Sequence, residues 1–412
     1  TLFPYTTLFR SDFLWTAATH LICLPKPLEF AISLTRLWKR VLRCADASNM
    51  GWACAALIVV CGTSCHLDSS EAGVTDAQLE SFRASTRVEK LLTEMTLEDK
   101  VGEMTQLTLD MLCVGEWEEE PQKHIVLEEP HRLDENHLQE AFEKGRIGSV
   151  LNCGGHAYHT AQWRELISGI QDASMQAKGI PTLYGVDAIH GATYTSGAAL
   201  GPQQLALAAT WDTSLVRKMA EAMAQEITAC GIPWNFAPVL DVGRDPRWPR
   251  FWETFGEDPK LVGDMGEAMV RGFQEGPVTV AATLKHMGYS APWSGKVRTP
   301  AYIPERQLRE IFLPPFAQAI KAGAMTVMVN SGEMNGIPTH VNRFVLTDIL
   351  RGELGFEGLA VTDWEDIKYL VDRHKVAATY KDAIRMAILA GIDMSMVPQD
   401  LEFPVVLKEL VE

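Results

Sequence analysis

The chain has 412 residues, of which 47% are hydrophobic and 22% are charged, and these values are ordinary for a soluble globular protein. The length accommodates one large domain with appendages, and a core of that size needs no disulfide or metal to stabilise it. The formal net charge of −16 argues against nucleic acid as a partner, because an acidic surface repels phosphate groups.

The N-terminal region does not have the pattern of a folded domain. Its opening, TLFPYTTLFRS, resembles translated adaptor sequence, so we interpret residues 1–49 as non-native or as a miscalled leader. Residues 50–70 begin with an apolar run that is short for a membrane span and fits a secretory signal better. The run ends at Cys65, a candidate for lipid attachment, which predicts a bacterial protein that is periplasmic or anchored to the outer membrane. The alternative is that these residues come from a miscalled upstream reading frame and have no targeting function.

The chain has eight cysteines, and five of them precede residue 66. The other three, Cys113, Cys153 and Cys230, are far apart and show no paired spacing. A disulfide framework or a zinc site usually shows such spacing. These three are therefore predicted to be small buried apolar residues.

Residues 85–108 are predicted to be helical, since apolar residues recur at helical spacing. That stripe consists of Val88, Leu91, Leu92 and Met95. Thr96 and Asp99 predict a capping box at the start of a second helix. The charged segment 116–137 contains two prolines and is predicted to be an irregular surface loop.

From residue 147 onward, short apolar runs alternate with amphipathic stretches. This alternation predicts βαβ units in a parallel sheet, and the number of units favours a closed (β/α)8 TIM-type barrel over an open sheet. The apolar runs are Ile147–Asn152, Thr182–Asp187, Trp234–Leu240, Val278–His286, Thr326–Asn330, Gly358–Asp363 and Ile392–Met396. The predicted helices are 161–178, 213–229, 258–274, 306–322 and 378–390.

Polar side chains stand at or just after the ends of these runs. They are Asp187, Asp241, Lys285, His286, Asn330 and Asp363. The carboxyl ends of barrel strands meet on one face, where barrel enzymes carry out their chemistry. Such a series, with several charged members, therefore predicts a ligand site on that face.

Several separate motifs carry a resemblance to a known family. They are LYGVDAIHG at 183–191, GRDPRWPRFWETFGEDP at 243–259, LKH at 284–286, NGIPTH at 335–340 and GLAVTDWEDI at 358–367. With these motifs in this order, the chain resembles glycoside hydrolase family 3, in particular its bacterial β-glucosidase branch. The resemblance implies that residues 85–412 form the family's N-terminal (β/α) barrel, incomplete at its C-terminal end. It also implies a retaining, exo-acting enzyme that removes terminal non-reducing β-D-glucosyl residues.

Asp363 lies in VTDW, where the resemblance places the catalytic nucleophile. A retaining glycosidase needs an ionised carboxylate that can attack the anomeric carbon, and a strand end would hold it rigidly. The alternative is that Asp363 caps the following helix, since aspartate is a favoured N-cap residue.

The resemblance also implies residues that bind the sugar. Asp187 matches a glycone-binding aspartate, and a carboxylate accepts hydrogen bonds from vicinal hydroxyls. Lys285 and His286 match a pair of donors to sugar hydroxyls, and Arg250 matches the second arginine of an Arg-x-x-Arg stretch. Around Arg250, we expect a charge network from Arg247, Glu253 and Glu257, and a purely structural ion-pair cluster is the alternative.

Tryptophans are candidates for stacking on pyranose faces, although most tryptophans in a chain of this size pack in or near the core. The candidates are Trp248, Trp252, Trp293 and Trp364. Of these we expect only Trp364, beside Asp363, to contact substrate.

The sequence departs from the family pattern in two places. Many members carry a tyrosine before NGIPTH that approaches the nucleophile, but here Ser331 stands at that place, and we expect Glu333 to line the site instead. In the β-glucosidase branch the general acid/base comes from a following domain. This chain ends at Glu412, so we expect that residue to lie outside it and the last barrel helix to be cut.

The resemblance thus implies double displacement at Asp363 on an oligosaccharide or β-glucoside, and no motif calls for a metal or organic cofactor. A β-xylosidase of the same family and a non-catalytic, sugar-binding barrel remain as alternatives. A barrel of unrelated chemistry, such as an aldolase, would carry a late phosphate-binding glycine loop or a Schiff-base lysine.

Overall fold

The structure, a computed structural model, describes residues 87–117, 125–127, 131–154, 156–289 and 296–412. The chain divides into two compact units, Thr1–Glu94 and Met95–Glu412. In the first unit, residues 87–94 are described and are helical, as the apolar stripe predicts. The expectations for residues 1–49, for residues 50–70 and for Cys65 fall outside the described residues. In the part that is described, no helix is long and apolar enough to cross a membrane.

The second unit is a barrel of eight parallel strands. We label them β1 Thr105–Thr108, β2 Ser149–Leu151, β3 Leu183–Val186, β4 Trp234–Asn235, β5 Ala281–Met287, β6 Thr326–Val329, β7 Leu359–Val361 and β8 Ser395–Met396. Consecutive strands pair from β1 to β7, and β1 also pairs with β8. A parallel bridge between Val361 and Met394, just before β8, completes the ring. The predicted (β/α)8 TIM-type barrel is confirmed.

Helices follow every strand and surround the barrel. In chain order they are Leu97–Glu103, Glu135–Gln139 continued by Glu140–Lys144, Thr160–Lys178, Gln204–Ala208, Thr213–Ala229, Pro259–Glu275, Glu305–Gln307 continued by Leu308–Phe312, Pro314–Lys321, Phe344–Glu353, Asp366–Asp372, Tyr380–Ala390 and Glu402–Val411. The five helices predicted beyond residue 160 are all present, with ends that differ by a few residues.

Short polar side chains set where several helices begin. The predicted capping box is confirmed, because the Thr96 side chain accepts from the Asp99 amide and Asp99 accepts from the Thr96 amide. Asp212 and Asp258 cap the long helices Thr213–Ala229 and Pro259–Glu275, and each side chain accepts hydrogen bonds from amides of the first turn. Each cap satisfies donors that the helix itself leaves unpaired.

Two predictions near the N-terminal side of the barrel are wrong. Residues 105–108 form β1 and not the end of a helix, since pairing with β2 and β8 buries all four residues and overrides the weak local pattern of TQLT. Segment 116–137 is not wholly irregular. Gly115–Trp117 pairs with Ile125–Leu127 in an antiparallel hairpin, and Glu135–Gln139 is helical.

The barrel interior contains polar side chains that bond to one another across strands. The Gln106 side chain donates to Ser149 at 2.8 Å, and the Trp234 indole donates to Thr283 at 2.8 Å and to Thr326 at 3.0 Å. All five are fully buried. Because buried polar groups are stable only when they are hydrogen-bonded, these contacts fix the register of the strands that present the site residues.

Candidate active site

The carboxyl ends of the strands bring the predicted polar residues to one face of the barrel. Asp187 directly follows β3, Lys285 and His286 lie in the last part of β5, and Asp363 comes two residues after β7. Strands β2 and β6 add Asn152 and Ser331 on the same face. The backbone before each side chain is held in the sheet, so these side chains start from rigid positions.

Asp363 is held by three donors. The Ser331 hydroxyl donates to Oδ2 at 2.8 Å, and the Trp364 amide donates to Oδ1 at 2.6 Å. Arg298 approaches Oδ1 at 3.4 Å as an ion-pair partner. The helix that follows begins at Asp366 with Glu365 as its N-cap residue, and no side chain caps it. Capping therefore does not account for the placement of Asp363.

The surroundings of Asp363 keep its carboxyl group ionised. Burial alone would raise the pKa, but the facing side chains of His286, Arg298 and Arg250 and the hydrogen bond from the Trp364 amide together hold the pKa of Asp363 well below its ordinary value. A carboxylate in this state is deprotonated at any physiological pH. It is therefore available as a nucleophile.

Asp187 and Lys285 form a direct ion pair. Lys285 Nζ donates to Asp187 Oδ1 at 2.7 Å, and Asn152 donates to Oδ2 at 3.0 Å. Burial raises the pKa of Asp187, but Lys285, Asn152 and the more distant Arg250 outweigh it, so that pKa is lowered. Lys285 is 2% exposed, whereas the Asp187 side chain is 32% exposed. The pair thus presents a partly open carboxylate that can accept hydrogen bonds from a ligand.

His286 and Arg250 link the Asp187 side of the site to Asp363. His286 Nδ1 lies 2.7 Å from Asp241 Oδ2, and its Nε2 lies 3.3 Å from the Arg250 guanidinium. His286 is 1% exposed and Asp241 is also buried, so the imidazole ring is fixed in orientation. The five predicted residues are therefore close enough for their charges to interact. They are Asp187, Arg250, Lys285, His286 and Asp363.

The charge network expected around Arg250 is present only in part. Glu253 forms a bidentate ion pair with Arg250, with its shortest contact at 2.7 Å. Arg247 instead pairs with Asp245, two residues before it, and its side chain is 72% exposed. Glu257 is exposed as well. Glu253 is thus the member of the expected network that orients Arg250.

The tryptophan candidates differ in their surroundings. Trp248 is 1% exposed and packs in the core, whereas Trp252 is 49% exposed. Trp364 is half-buried, and its amide is bonded to Asp363. Stacking of Trp364 on a sugar stays a prediction. Trp293 lies outside the described residues.

The departure from the family pattern at Ser331 has a structural consequence. Ser331 is 4% exposed and contacts Asp363 directly, so the residue at the tyrosine's place still approaches the candidate nucleophile. Glu333, which we expected to line the site, instead bonds His374 Nδ1 at 2.8 Å. Whether Glu333 also lines the sugar site stays a prediction.

Sequence reasoning missed three residues of this site. Asn152 ends the first apolar run, so the strand-end rule that found Asp187 could have found it. Asp366 lies three residues after Asp363 in the same motif but carries no recognisable pattern. Arg298 comes from the long connection after β5, where neither spacing nor periodicity points to the site.

Across the described ranges, no group of three or more His, Cys, Asp or Glu side chains is arranged to hold a metal ion. Cys113, Cys153 and Cys230 are buried, as predicted, and burial raises the pKa of Cys113 and of Cys153 to about 12. Thiols with so high a pKa are poor ligands and poor nucleophiles.

A closed barrel with ionised carboxylates and cations gathered at its carboxyl-end face is the arrangement of barrel enzymes. The sequence profile of the glycosyl hydrolase family 3 N terminal domain matches residues 96–412. The chain therefore belongs to this family.

Curated relatives and solved structures agree with this assignment. Over 79% of its length the chain is 44% identical to a lysosomal beta glucosidase of Dictyostelium discoideum, and over 75% it is 32% identical to a periplasmic beta-glucosidase of Salmonella typhimurium. It also superposes on a mutant beta-glucosidase from Listeria innocua in complex with laminaribiose, with a TM-score of 0.64 and 30% identity, covering 79% of this chain and 46% of that one. The matches span 41% of the Dictyostelium protein and 37% of the Salmonella protein.

Proposed function

We propose that this chain provides the nucleophile and the sugar-binding face of a retaining exo-β-glycosidase that acts on terminal non-reducing β-D-glucosyl residues. The observation that carries this proposal is Asp363, a carboxylate whose pKa is held low at a strand end by facing cations. A buried charge held in its ionised form needs such compensation, and nucleophilic catalysis is a function that uses it.

In the proposed reaction, Asp363 attacks the anomeric carbon of a bound β-glycoside. The C1–O bond to the leaving group breaks as the C1–Asp363 ester forms, and the leaving oxygen takes up a proton from a general acid. Water then gives a proton to the same acid/base group, adds to C1 and releases the Asp363 carboxylate, so that two inversions give net retention. Family membership and the β-glucosidase relatives support this course.

We propose that the sugar hydroxyls are bound by side chains that already form hydrogen bonds with one another. We propose that the open side of the Asp187 carboxylate accepts from two hydroxyls, while Lys285 and Arg250 donate. His286 Nδ1 is bonded to the Asp241 carboxylate, and its Nε2 faces the Arg250 guanidinium, which can only donate. Nε2 would therefore contact a sugar hydroxyl as an acceptor. Trp364 is proposed as an apolar face for the sugar ring.

The general acid/base has no assigned residue in this chain. We propose that it is supplied from outside these 412 residues, since the chain spans about two fifths of the Dictyostelium relative. General acid catalysis contributes about 10²–10⁴-fold. Substrates with good leaving groups should therefore be turned over even without it.

Stereochemistry of hydrolysis tests this proposal. With 2,4-dinitrophenyl β-D-glucoside as substrate, we expect proton NMR to show β-glucose as the first product, because double displacement retains configuration. The matching xyloside serves as the control for the sugar and should react more slowly. If α-glucose forms first, Asp363 is not a nucleophile. Saturable glucose binding without hydrolysis would favour the non-catalytic, sugar-binding barrel.

Two further proposals concern the branch of the family and the location of the protein. We propose the bacterial β-glucosidase branch from the motif set, although the similar proteins come from both Dictyostelium and Salmonella. We also propose export to the periplasm or anchoring to the outer membrane, with Cys65 as the lipid attachment point. The apolar run in residues 50–70 and the periplasmic Salmonella relative support this proposal.

A further inference from the structure

Ser331 lies between two carboxyl groups. Its hydroxyl oxygen is 2.8 Å from Asp363 Oδ2 and 2.6 Å from Asp366 Oδ2. Ser331 is 4% exposed and Asp366 is 1% exposed, so bulk water does not separate these groups. A serine hydroxyl has one proton and can donate it to only one of the two carboxyl groups.

The two short contacts of the Ser331 hydroxyl require a proton on one of the carboxyl groups. If Asp363 and Asp366 were both ionised, one of the two short contacts would join lone pairs with no proton between them. Such a contact at 2.6–2.8 Å is repulsive, and two buried like charges so close together would add to the cost. One carboxyl group must therefore carry a proton and donate it to the Ser331 oxygen.

The surroundings identify which carboxyl group carries the proton. Asp363 receives the Trp364 amide and faces Arg298, so its negative charge is compensated. Asp366 lacks equivalent donors: among the described residues, none lies within hydrogen-bond distance of its Oδ1. Burial, followed by the nearby charge of Asp363, raises the pKa of Asp366 well above its ordinary value.

His340 does not supply a positive charge that could compensate an ionised Asp366. Its Nε2 lies 3.6 Å from Asp366 Oδ2, which is longer than a hydrogen bond. Burial lowers the pKa of His340 to about 3, so the ring is neutral at physiological pH. The charged and titratable groups that face Asp366 are Asp363, Arg298, Arg373 and His340.

We propose that Asp366 carries a proton and donates it to Ser331, which in turn donates its own proton to Asp363, so that Asp366 is a positioning residue for the nucleophile. This inference rests on the proposed function, because it takes Asp363 as the attacking group. The two hydrogen bonds fix the plane of the Asp363 carboxylate, which must be aligned with the anomeric carbon for attack. We call Asp366–Ser331–Asp363 the relay.

The relay predicts a particular dependence on pH. The raised pKa of Asp366 means that its protonated form is present below that pKa and is lost as pH rises through it. Once Asp366 is ionised, it competes with Asp363 for the Ser331 proton. The rate of attack should therefore fall on the alkaline side, and Asp366→Asn, which donates without titrating, should remove that fall.

Infrared spectroscopy tests the protonation state without using activity. We expect the wild-type chain at neutral pH to show the C=O stretching band of a protonated carboxyl group that is missing from Asp366→Asn. The difference between these two spectra isolates Asp366 from Glu103, a second buried acid whose pKa burial raises to about 8. If the difference spectrum contains no such band, Asp366 is ionised and the relay is wrong.

Kinetics of covalent labelling test the positioning role. With 2,4-dinitrophenyl 2-deoxy-2-fluoro-β-glucoside, we expect Ser331→Ala and Asp366→Ala each to lower the inactivation rate constant by about 10- to 100-fold, the worth of a hydrogen bond to a charged group. The inhibitor's dissociation constant should change little. Asp366→Asn should recover most of the rate, and combining it with Ser331→Ala should cost no more than Ser331→Ala alone.

The outcomes of these experiments distinguish failure of the relay from failure of the proposed function. An Asp366→Asn rate as low as that of Asp366→Ala, in a variant with an unchanged melting temperature, would overturn the relay. Ser331→Ala at the wild-type rate would overturn it as well. If the wild-type chain is not labelled at all but the infrared band is present, the proposed function fails while the proton on Asp366 stands.

Discussion

Replacing Asp363 with alanine is expected to lower the hydrolysis of 2,4-dinitrophenyl β-D-glucoside by at least about 10⁴-fold, as loss of a covalent nucleophile does in other enzymes. The variant loses the atom that attacks C1 but keeps the groups that we propose bind the sugar. Substrate affinity should therefore change far less than turnover. The measurement is the steady-state release of dinitrophenolate.

Azide, an external nucleophile, can test whether the Asp363→Ala variant has lost only its nucleophile. The alanine leaves a space that is still faced by Arg298 and His286, and a small anion should occupy it. We expect azide to restore turnover and to give the α-glucosyl azide, because it attacks from the side that Asp363 occupied. Asp372→Ala, at an exposed acid on the next helix, should behave as wild type. Formation of the β-azide, or no dependence on azide, would contradict the assignment.

Replacing Lys285 with methionine is expected to lower the free energy of unfolding by about 2–4 kcal/mol, because it leaves the Asp187 carboxylate without its 2.7 Å partner. This loss of unfolding free energy is smaller than for a fully buried ion pair, since the Asp187 side chain is partly exposed. Denaturant unfolding measures the change. Lys260→Met, at a lysine that is 76% exposed, should cost less than about 1 kcal/mol.

The double variant Lys285→Met with Asp187→Asn separates stability from binding. It leaves no unpaired charge, so part of the lost stability should return. Binding should not return, because the two substitutions remove the charged groups that we propose bond to sugar hydroxyls. We expect a dissociation constant for the fluoroglucoside that is higher by on the order of 10- to 100-fold. Wild-type affinity in the double variant would show that this pair does not contact the sugar.

Much of the candidate site could be predicted because its residues follow the strands. Asp187 and Asp363 each come just after a short apolar run, and the carboxyl ends of parallel strands meet on one face. The same rule covers Lys285 and His286 within β5. Strand periodicity and the strand-end rule thus predict where these side chains lie, whereas the roles expected for them come from the resemblance to the family.

Other features depend on contacts that no local pattern encodes. The strand β1, with the sequence TQLT, has little apolar alternation, and its neighbours β2 and β8 lie far away in the chain. Arg298 reaches Asp363 across 65 positions from an irregular connection. The proton on Asp366 follows from two distances at Ser331 and not from residue identity. Tertiary structure is needed for all three.

Covalent trapping tests the central claim, that Asp363 forms the glycosyl ester, most directly. The chain would be incubated with 2,4-dinitrophenyl 2-deoxy-2-fluoro-β-glucoside and analysed by intact and peptide mass spectrometry. The fluorine slows both steps, and the leaving group departs without an acid. We expect one fluoroglucosyl group, on Asp363, and none in Asp363→Ala. A label on another carboxylate, or no label on a folded chain that hydrolyses the parent glucoside, would contradict the claim.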